Sequence, residues 1–223
     1  SPATGYHTMP TLHSMGSGTG LAGGFAKLSA FGLEKPILAV CGDSTFYHAV
    51  IPALINAQHN RADITFIVLD NAGTAMTGFQ PHPGLTMSAL GETVPAVDIA
   101  AVCRGIGAKV AIADPFDIDT TTKILTGYLA QKGEVKVLIL RQACALSPEK
   151  KGKKTFDVRV NEELCLGDAC GCNRLCTRVF RCPALTWDKD KKKAVVDEVI
   201  CAGCGVCVSI CPQKAIEKAQ AVI

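Results

Sequence analysis

Ile37-Leu38-Ala39-Val40-Cys41, followed at once by Gly42-Asp43-Ser44, decides how the longer part of this chain is read. Five apolar residues without alternation read as a strand buried on both faces. The carboxylate that follows marks a polar strand end. Ile64-Thr65-Phe66-Ile67-Val68-Leu69 repeats the pattern and ends in Asp70-Asn71. Two more strand-like runs follow, Ala108–Ile112 and Val135–Leu140. Helix-like stretches separate them: Gly18–Phe31, Phe46–His59, Asp98–Gly105 and Asp117–Gln131. Strand and helix alternating at this spacing predict a parallel α/β sheet with helices on both faces. In such sheets ligands bind at the carboxyl ends of the strands. The two polar strand ends therefore mark the candidate site.

Composition narrows the function classes. Of 223 residues, 48% are hydrophobic and 19% charged, which suits a packed core and argues against disorder. A net charge of +3 is too mild to point to nucleic acid or a membrane surface. No apolar run reaches the roughly 18–20 residues of a membrane span. Ser1 stands where an initiator Met would be, and no signal-peptide layout follows. The expectation is a chain that starts inside a longer polypeptide.

The 12 cysteines are placed unevenly: three lie in residues 1–146 and nine in 147–223. Between these parts Ser147-Pro148-Glu149-Lys150-Lys151-Gly152-Lys153-Lys154 is charged and poor in large apolar residues, so 147–154 reads as a linker. The second part has 14 Lys and Arg against 10 Asp and Glu, and its lysine runs read as solvated surface. It also has few large apolar residues, and a domain of ~70 residues usually needs staples.

The staples are legible. Cys201-Ala-Gly-Cys204-Gly-Val-Cys207-Val-Ser-Ile-Cys211-Pro212 has the bacterial ferredoxin spacing of a [4Fe–4S] cluster. Three thiolates two residues apart wrap one cubane in a tight loop. The fourth, fixed by a proline, points to a second cluster. Upstream, Cys165, Cys170, Cys172 and Cys176 precede a second Cys-Pro pair, Cys182-Pro183. Two-cluster ferredoxins exchange their last cysteines. Cys182 is thus expected with Cys201, Cys204 and Cys207, and Cys211 with three of the first run. Cys165 and Cys176 are the firmer choices there. Cys170 and Cys172 compete for the remaining place, and the spacing does not decide between them. Residues 155–223 are expected to form a small α+β, ferredoxin-like βαββαβ module.

The polar strand ends allow a second chemistry. Asp43 at one strand end and an amide, Asn71, at the next can hold Mg²⁺ through oxygen, sharing its shell with phosphates. A helix starting near Phe46 offers N-terminal amides to the same phosphates. A diphosphate cofactor is the natural occupant. His48, one helical turn on, could face it. His82, between two prolines, sits in a stiff loop that could hold a proton donor. Cys41, Cys103 and Cys144 read as ordinary small apolar residues.

Gly42-Asp43-Ser44 followed by Asp70-Asn71 looks like a variant of the thiamine-diphosphate motif. The longer stretches Cys41–Asn56 and Leu69–Gly84 closely resemble the alpha subunits of the indolepyruvate:ferredoxin oxidoreductases, within the 2-oxoacid:ferredoxin oxidoreductase family. The resemblance covers nearly the whole chain and includes the terminal two-cluster ferredoxin domain. It implies a thiamine-diphosphate-binding α/β domain over 1–146. It implies Mg²⁺ ligation by Asp43, Asn71 and the carbonyl of Gly73. Gly42 and Ser44 belong to the same motif, and Met15-Gly16-Ser17 matches a segment lining the thiamine site. Thr77, Gly78 and Gln80 fall in the loop after the metal site. The first cysteine run departs from the family by its length.

The implied reaction is oxidative decarboxylation of a 2-oxoacid, such as indolepyruvate or another arylpyruvate, to an acyl-CoA. Electrons would leave through two [4Fe–4S] clusters to ferredoxin or another acceptor. Coenzyme A is then a partner. The family's first strand before Gly5-Tyr6-His7, its pyrimidine-binding domain and its gamma/beta-type domain are expected on other subunits or segments. Oxygen-sensitive clusters and abundant thiols fit a reducing cytoplasm. The competing reading is an electron-transfer iron–sulfur subunit whose α/β domain is structural.

Overall fold

The computed structural model describes residues 13–147 and 154–219. Most of the linker stretch and the segment around Gly5-Tyr6-His7 lie outside them. Two compact units make up the chain, one reaching Cys144 and the other beginning at Ala145, with Phe116–Ile118 grouped with the second.

The first unit opens with α1 (Ser17–Lys27) and continues through β1 (Leu38–Gly42), α2 (Asp43–Thr45), α3 (Ile51–His59), β2 (Ile64–Asp70), α4 (Ile99–Gly105), β3 (Lys109–Ala113), α5 (Ile118–Ala130) and β4 (Val135–Arg141). The four strands form one parallel sheet in the order β1-β2-β4-β3. Successive strand residues point to opposite faces. Ile64, Phe66 and Val68 of β2 and Val135, Val137 and Ile139 of β4 pack on one face with residues of α1, α3 and α4. Ile67 and Leu138 point the other way and pack against Tyr128 of α5. The helices thus cover both faces unevenly, three on one and one on the other.

Lys136 is 1% exposed on the α5 side. Its ammonium donates to Oδ1 of Asp63 at 2.6 Å and to the Gln131 carbonyl at 2.7 Å, so the buried charge is paired.

The stretch expected as one helix from Phe46 to His59 is not regular. Phe46–Val50 is π-helical and joins α2 to α3. Pro52 lies at the start of α3 and has no N–H to give the preceding turn. The wider turn passes that gap without breaking the run. Strand ends otherwise differ from expectation by about a residue.

The second unit holds β5 (Asp157–Val160), β6 (Leu185–Asp188), β7 (Lys193–Val196) and β8 (Ile216–Ala219). The order of elements is the expected strand–helix–strand–strand–helix–strand. The expectation needs correcting in two ways. The helices are short 3-10 and π turns, and the strands form two separate antiparallel pairs, β5–β8 and β6–β7. The core explains this. Val158, Leu185, Cys207 and Ile216 are its buried members, and Cys176, Cys182, Cys201 and Cys211 pack against them. A core so small leaves the cysteines to supply the framework.

Candidate functional site

Asp43 stands at the carboxyl end of β1 and is 2% exposed. Its carboxylate collects backbone donors from two strand ends. Ser44 N–H donates to Oδ1 at 2.7 Å. Asn71 N–H and Gly73 N–H donate to Oδ2 at 3.0 and 3.3 Å. Between the last two, Ala72 adopts a left-handed φ of 61°. That costly turn brings the Asn71 side chain and the Gly73 carbonyl to one point. As placed, Oδ1 of Asn71 faces Oδ2 and Oδ1 of Asp43 at 3.0 and 3.2 Å and the Gly73 carbonyl oxygen at 2.7 Å. Oxygen facing oxygen is repulsive. Either the amide turns over and donates its NH₂, or a cation sits among them. A carboxylate, an amide oxygen and a backbone carbonyl are the hard oxygen donors a small divalent cation takes.

His82 completes the buried group. Its Nε2 lies 3.1 Å from Oδ2 of Asp43, with both side chains nearly inaccessible. The contact is close but poorly aligned, so Nε2 is left without a directional hydrogen-bond partner. Gly84 N–H donates to Nδ1 at 3.1 Å, which puts the proton of the neutral ring on Nε2. Tyr47 stacks on the imidazole with ring centroids 5.4 Å apart, and its hydroxyl donates to the Val97 carbonyl. Burial alone would raise the Asp43 carboxyl. The His82 side chain and the N–H groups of Ser44 and Gly73 outweigh it and hold the group below the usual carboxylate range. Burial, with the Asp70, Asp98 and Asp43 carboxylates nearby, pushes the Tyr47 phenol up to about 12.

The other expected residues fall into two groups. Gly16 and Ser17 are brought beside the helical run that follows Asp43. Gly16 has φ +87°, and a Cβ there would lie 2.5 Å from Cβ of Ala49, so only glycine fits. Gly42 leads directly into Asp43. Met15, by contrast, is 81% exposed. Thr77, Gly78 and Gln80 are exposed and form their own turn, with Thr77 Oγ1 donating to Gln80 Oε1 at 2.5 Å and Gln80 Nε2 to the Thr77 carbonyl at 2.6 Å. These bonds tie the turn together internally. Among the described residues His48 is not joined to the Asp43 group by a hydrogen bond or ion pair, and it is exposed on the π-helical turn. The widened turn changes the residue phase, so one turn past Asp43 no longer means facing it.

Sequence reasoning missed Tyr47 and Arg141. Nε of Arg141 donates to Asp70 Oδ2 at 2.7 Å, and a terminal nitrogen donates to Asp98 Oδ1 at 3.1 Å. Asp70 is thereby a strand-end anchor paired with Arg141. The signal was an arginine closing β4 beside an aspartate closing β2.

In the second unit the thiols form two sets. Cys207 is pushed up to about 12 by burial, then by the neighbouring Cys204, Cys182 and Cys201. A small cavity of about 30 Å³ is lined by Cys165, Cys170, Cys172, Cys176 and Cys211, with Trp187 among its walls. Arg174 also lines it, stacked 4.1 Å from the Trp187 ring centroid and paired with Asp168 at 2.9 Å. Among the described residues no three His, Cys, Asp or Glu side chains converge to share one metal ion. A cubane asks for a different layout, because each thiolate binds its own iron around a cage. The thiols of one set neighbour one another and those of the other line a cavity with apolar walls, surroundings that suit such a group. Cys41 and Cys103 are core thiols, each raised to about 12 by burial.

Comparison with known proteins follows the same division. Residues 1–139 match the family described as thiamine pyrophosphate enzyme, C-terminal TPP binding domain. Residues 194–217 match the 4Fe-4S binding domain. The chain is 40% identical over 96% of its length to an indolepyruvate oxidoreductase subunit IorA of Pyrococcus horikoshii, covering 34% of that protein. It is 42% identical over 83% of its length to the IorA subunit of Thermococcus kodakarensis, covering 29%. For the IorA subunit of Archaeoglobus fulgidus the figures are 39%, 92% and 32%. The chain thus spans about a third of the length of the curated relatives it matches. Among solved structures, benzoylformate decarboxylase from Polynucleobacter necessarius is similar at 18% identity and a TM-score of 0.42, over 58% of this chain and 24% of that one. A transketolase from Campylobacter jejuni is similar at 16% and 0.45, over 56% and 20%.

Proposed function

This chain belongs to the thiamine pyrophosphate enzyme family through its C-terminal TPP-binding domain, and from that premise we propose that it serves a 2-oxoacid:ferredoxin oxidoreductase as diphosphate anchor and electron path. One observation carries the reading. A single chain holds both the oxygen-donor group at Asp43, Asn71 and Gly73 and two cysteine sets of cluster type. A non-oxidative decarboxylase releases no electrons and has no use for the second unit.

Asp43, Asn71 and the Gly73 carbonyl would hold Mg²⁺, whose charge would anchor a diphosphate at this strand edge. Gly16 lets the start of α1 pack closely against the helix that carries Asp43. His82 keeps a proton on Nε2 beside Asp43 and, being buried, excludes water from that side. Thiamine diphosphate, when bound, supplies the carbanion for the keto carbon and the electron sink for loss of carbon dioxide. Per turnover, one 2-oxoacid and one coenzyme A give one acyl-CoA, one carbon dioxide, one proton and two electrons. Cys182, Cys201, Cys204 and Cys207 would hold one [4Fe–4S] cluster and the first run with Cys211 the other, passing electrons singly to ferredoxin. The names of the relatives favour indolepyruvate or a similar arylpyruvate. The pyrimidine-binding and gamma/beta-type domains come from other subunits or segments. A reducing cytoplasm suits the thiols, and no described helix is long and apolar enough to cross a membrane.

The test is anaerobic analysis of the protein with its natural partners for iron, sulfide, thiamine and magnesium, followed by substrate-dependent bleaching of the clusters. Thiamine near one per chain with bleaching by an arylpyruvate and coenzyme A is expected. Iron without thiamine or magnesium would replace this reading with that of an electron-transfer subunit.

A further inference from the structure

The second unit is built twice over. β5 runs into Asn161 and β7 into Asp197. Asn161 N–H donates to the Ala215 carbonyl at 2.7 Å, and Asp197 N–H to the Ala184 carbonyl at 2.7 Å. Oδ1 of Asn161 accepts from Glu163 and Leu164 N–H at 3.0 and 3.3 Å. Oδ1 of Asp197 accepts from Val199 and Ile200 N–H at 2.9 and 3.2 Å. Cys165 N–H then donates to the Asn161 carbonyl at 3.0 Å, and Cys201 N–H to the Asp197 carbonyl at 2.9 Å. Four matched hydrogen bonds in each run therefore place Cys165 as the counterpart of Cys201.

The correspondence continues. Cys207 is the second residue of a short helical turn capped by left-handed Gly205, φ 73°. Cys176 is the second residue of a turn capped by left-handed Arg174, φ 56°. The remaining ligand of the regular run, Cys204, lies between two left-handed residues, Gly203 at φ 66° and Gly205 at φ 73°. In the first run only Cys172 is framed in this way, by Gly171 at φ 71° and Asn173 at φ 51°. Alternation of left- and right-handed residues turns successive N–H groups toward one concave point, where an anion fits. Leu175 N–H donates to the Cys172 carbonyl at 3.1 Å. Cys170 instead ends a 3-10 turn, Gly167–Cys170, that the regular run lacks. That turn leans on the β6–β7 hairpin, since a Cβ on Gly167 would lie 2.2 Å from the Lys192 carbonyl oxygen.

We propose that Cys172 is the third ligand of the first cluster, with Cys165, Cys176 and Cys211, and that Cys170 is a free thiol on an inserted turn beside it. Four of the inserted residues lie between Cys165 and Cys172 and one between Cys172 and Cys176, which accounts for the irregular spacing. This inference rests on the two-cluster part of the proposed function. It does not depend on thiamine or on the substrate.

The experiment compares Cys170→Ala and Cys172→Ala in the anaerobic complex by iron and sulfide content and by electron paramagnetic resonance of the reduced clusters. Cys170→Ala is expected to keep about eight irons per chain and the spectrum of two coupled [4Fe–4S] centres. Cys172→Ala is expected to lose iron from the first centre and the coupling, while the centre of Cys201, Cys204 and Cys207 remains and reports a folded unit. Should Cys172→Ala fail to fold, alkylation of the native holoprotein, read by peptide mass, supplies the second measurement, with Cys170 modified and Cys172 protected. Iron loss in Cys170→Ala, full iron in Cys172→Ala, or modification of Cys172 with Cys170 protected would overturn the assignment. Absence of thiamine would leave it standing while sinking the oxidoreductase reading.

Discussion

Nε2 of His82 lies 3.1 Å from Oδ2 of Asp43, and both side chains are almost entirely buried. Oδ2 thus faces an imidazole N–H and two backbone N–H groups, while Oδ1 takes only Ser44 N–H. The carboxylate is held in one rotation, with Oδ1 freer to meet a cation. A poorly aligned contact is worth less than a full hydrogen bond to a charged group, about 1 kcal/mol or up to about 10-fold in binding. His82→Ala is expected to weaken Mg²⁺-dependent thiamine diphosphate binding by that factor, measured by calorimetric titration of the complex. Unchanged affinity would remove His82 from the cofactor site.

Asn71 carries the second expectation. Asn71→Ala deletes the oxygen that faces Asp43 and the Gly73 carbonyl. The variant should need at least about 10-fold more Mg²⁺ to retain the cofactor, since one of few protein ligands is lost. Without metal the amide turns over and donates to the Asp43 carboxylate and the Gly73 carbonyl, so its removal should cost some stability there as well. Thermal melts with and without Mg²⁺ separate the two effects. A variant destabilised equally in both would mean that the amide stays turned over, donating.

Gly16→Ala tests the packing of α1. The new Cβ meets both a left-handed backbone and the Cβ of Ala49. Strain and overpacking together should cost about 1–3 kcal/mol of the first unit's stability. Urea denaturation followed by far-UV circular dichroism would show it, with iron content unchanged. A neutral result would place α1 farther from the helix that follows Asp43.

Asp98 should set part of the acid sensitivity. It caps α4 by accepting Ala101 N–H at 2.9 Å and pairs with Arg141. Burial would raise its carboxyl; Ala101 N–H and Arg141 lower it on balance. A lowered folded value contributes stability above the ordinary carboxylate pKa, and this is lost as pH falls through the folded value. Asn also caps helices but carries no charge. Asp98→Asn should therefore melt close to the parent below about pH 3, fall slightly behind it at neutral pH, and show a shallower acid limb. Parallel melting curves from neutral to acid pH would contradict this.

Much of the architecture was legible because each piece is a local property. Runs such as Ile64–Leu69 are apolar over the length of a buried strand, and glycine, proline and polar residues bound them. Cys201, Cys204, Cys207 and Cys211 announce their chemistry by spacing alone. Asp43 and Asn71 were legible as strand-end donors, since a parallel sheet brings such ends to one edge. Other features depend on distances that no local pattern encodes. His82 reaches Asp43 only because the loop after β2 folds back under Tyr47. Asp70 pairs with Arg141 because β2 pairs with β4 in that register. His48 lies on a π turn, whose widening alters the residue phase that the helical period assumed. Cys170 and Cys172 are equivalent in chemistry and nearly so in position. Only the backbone, left-handed on both sides of Cys172 and tied to a repeated hydrogen-bond frame, tells them apart. Residue type and spacing determined which chemistry this chain can hold. The choice among like residues came from tertiary structure, because it turns on which atoms the folded backbone brings within hydrogen-bonding distance.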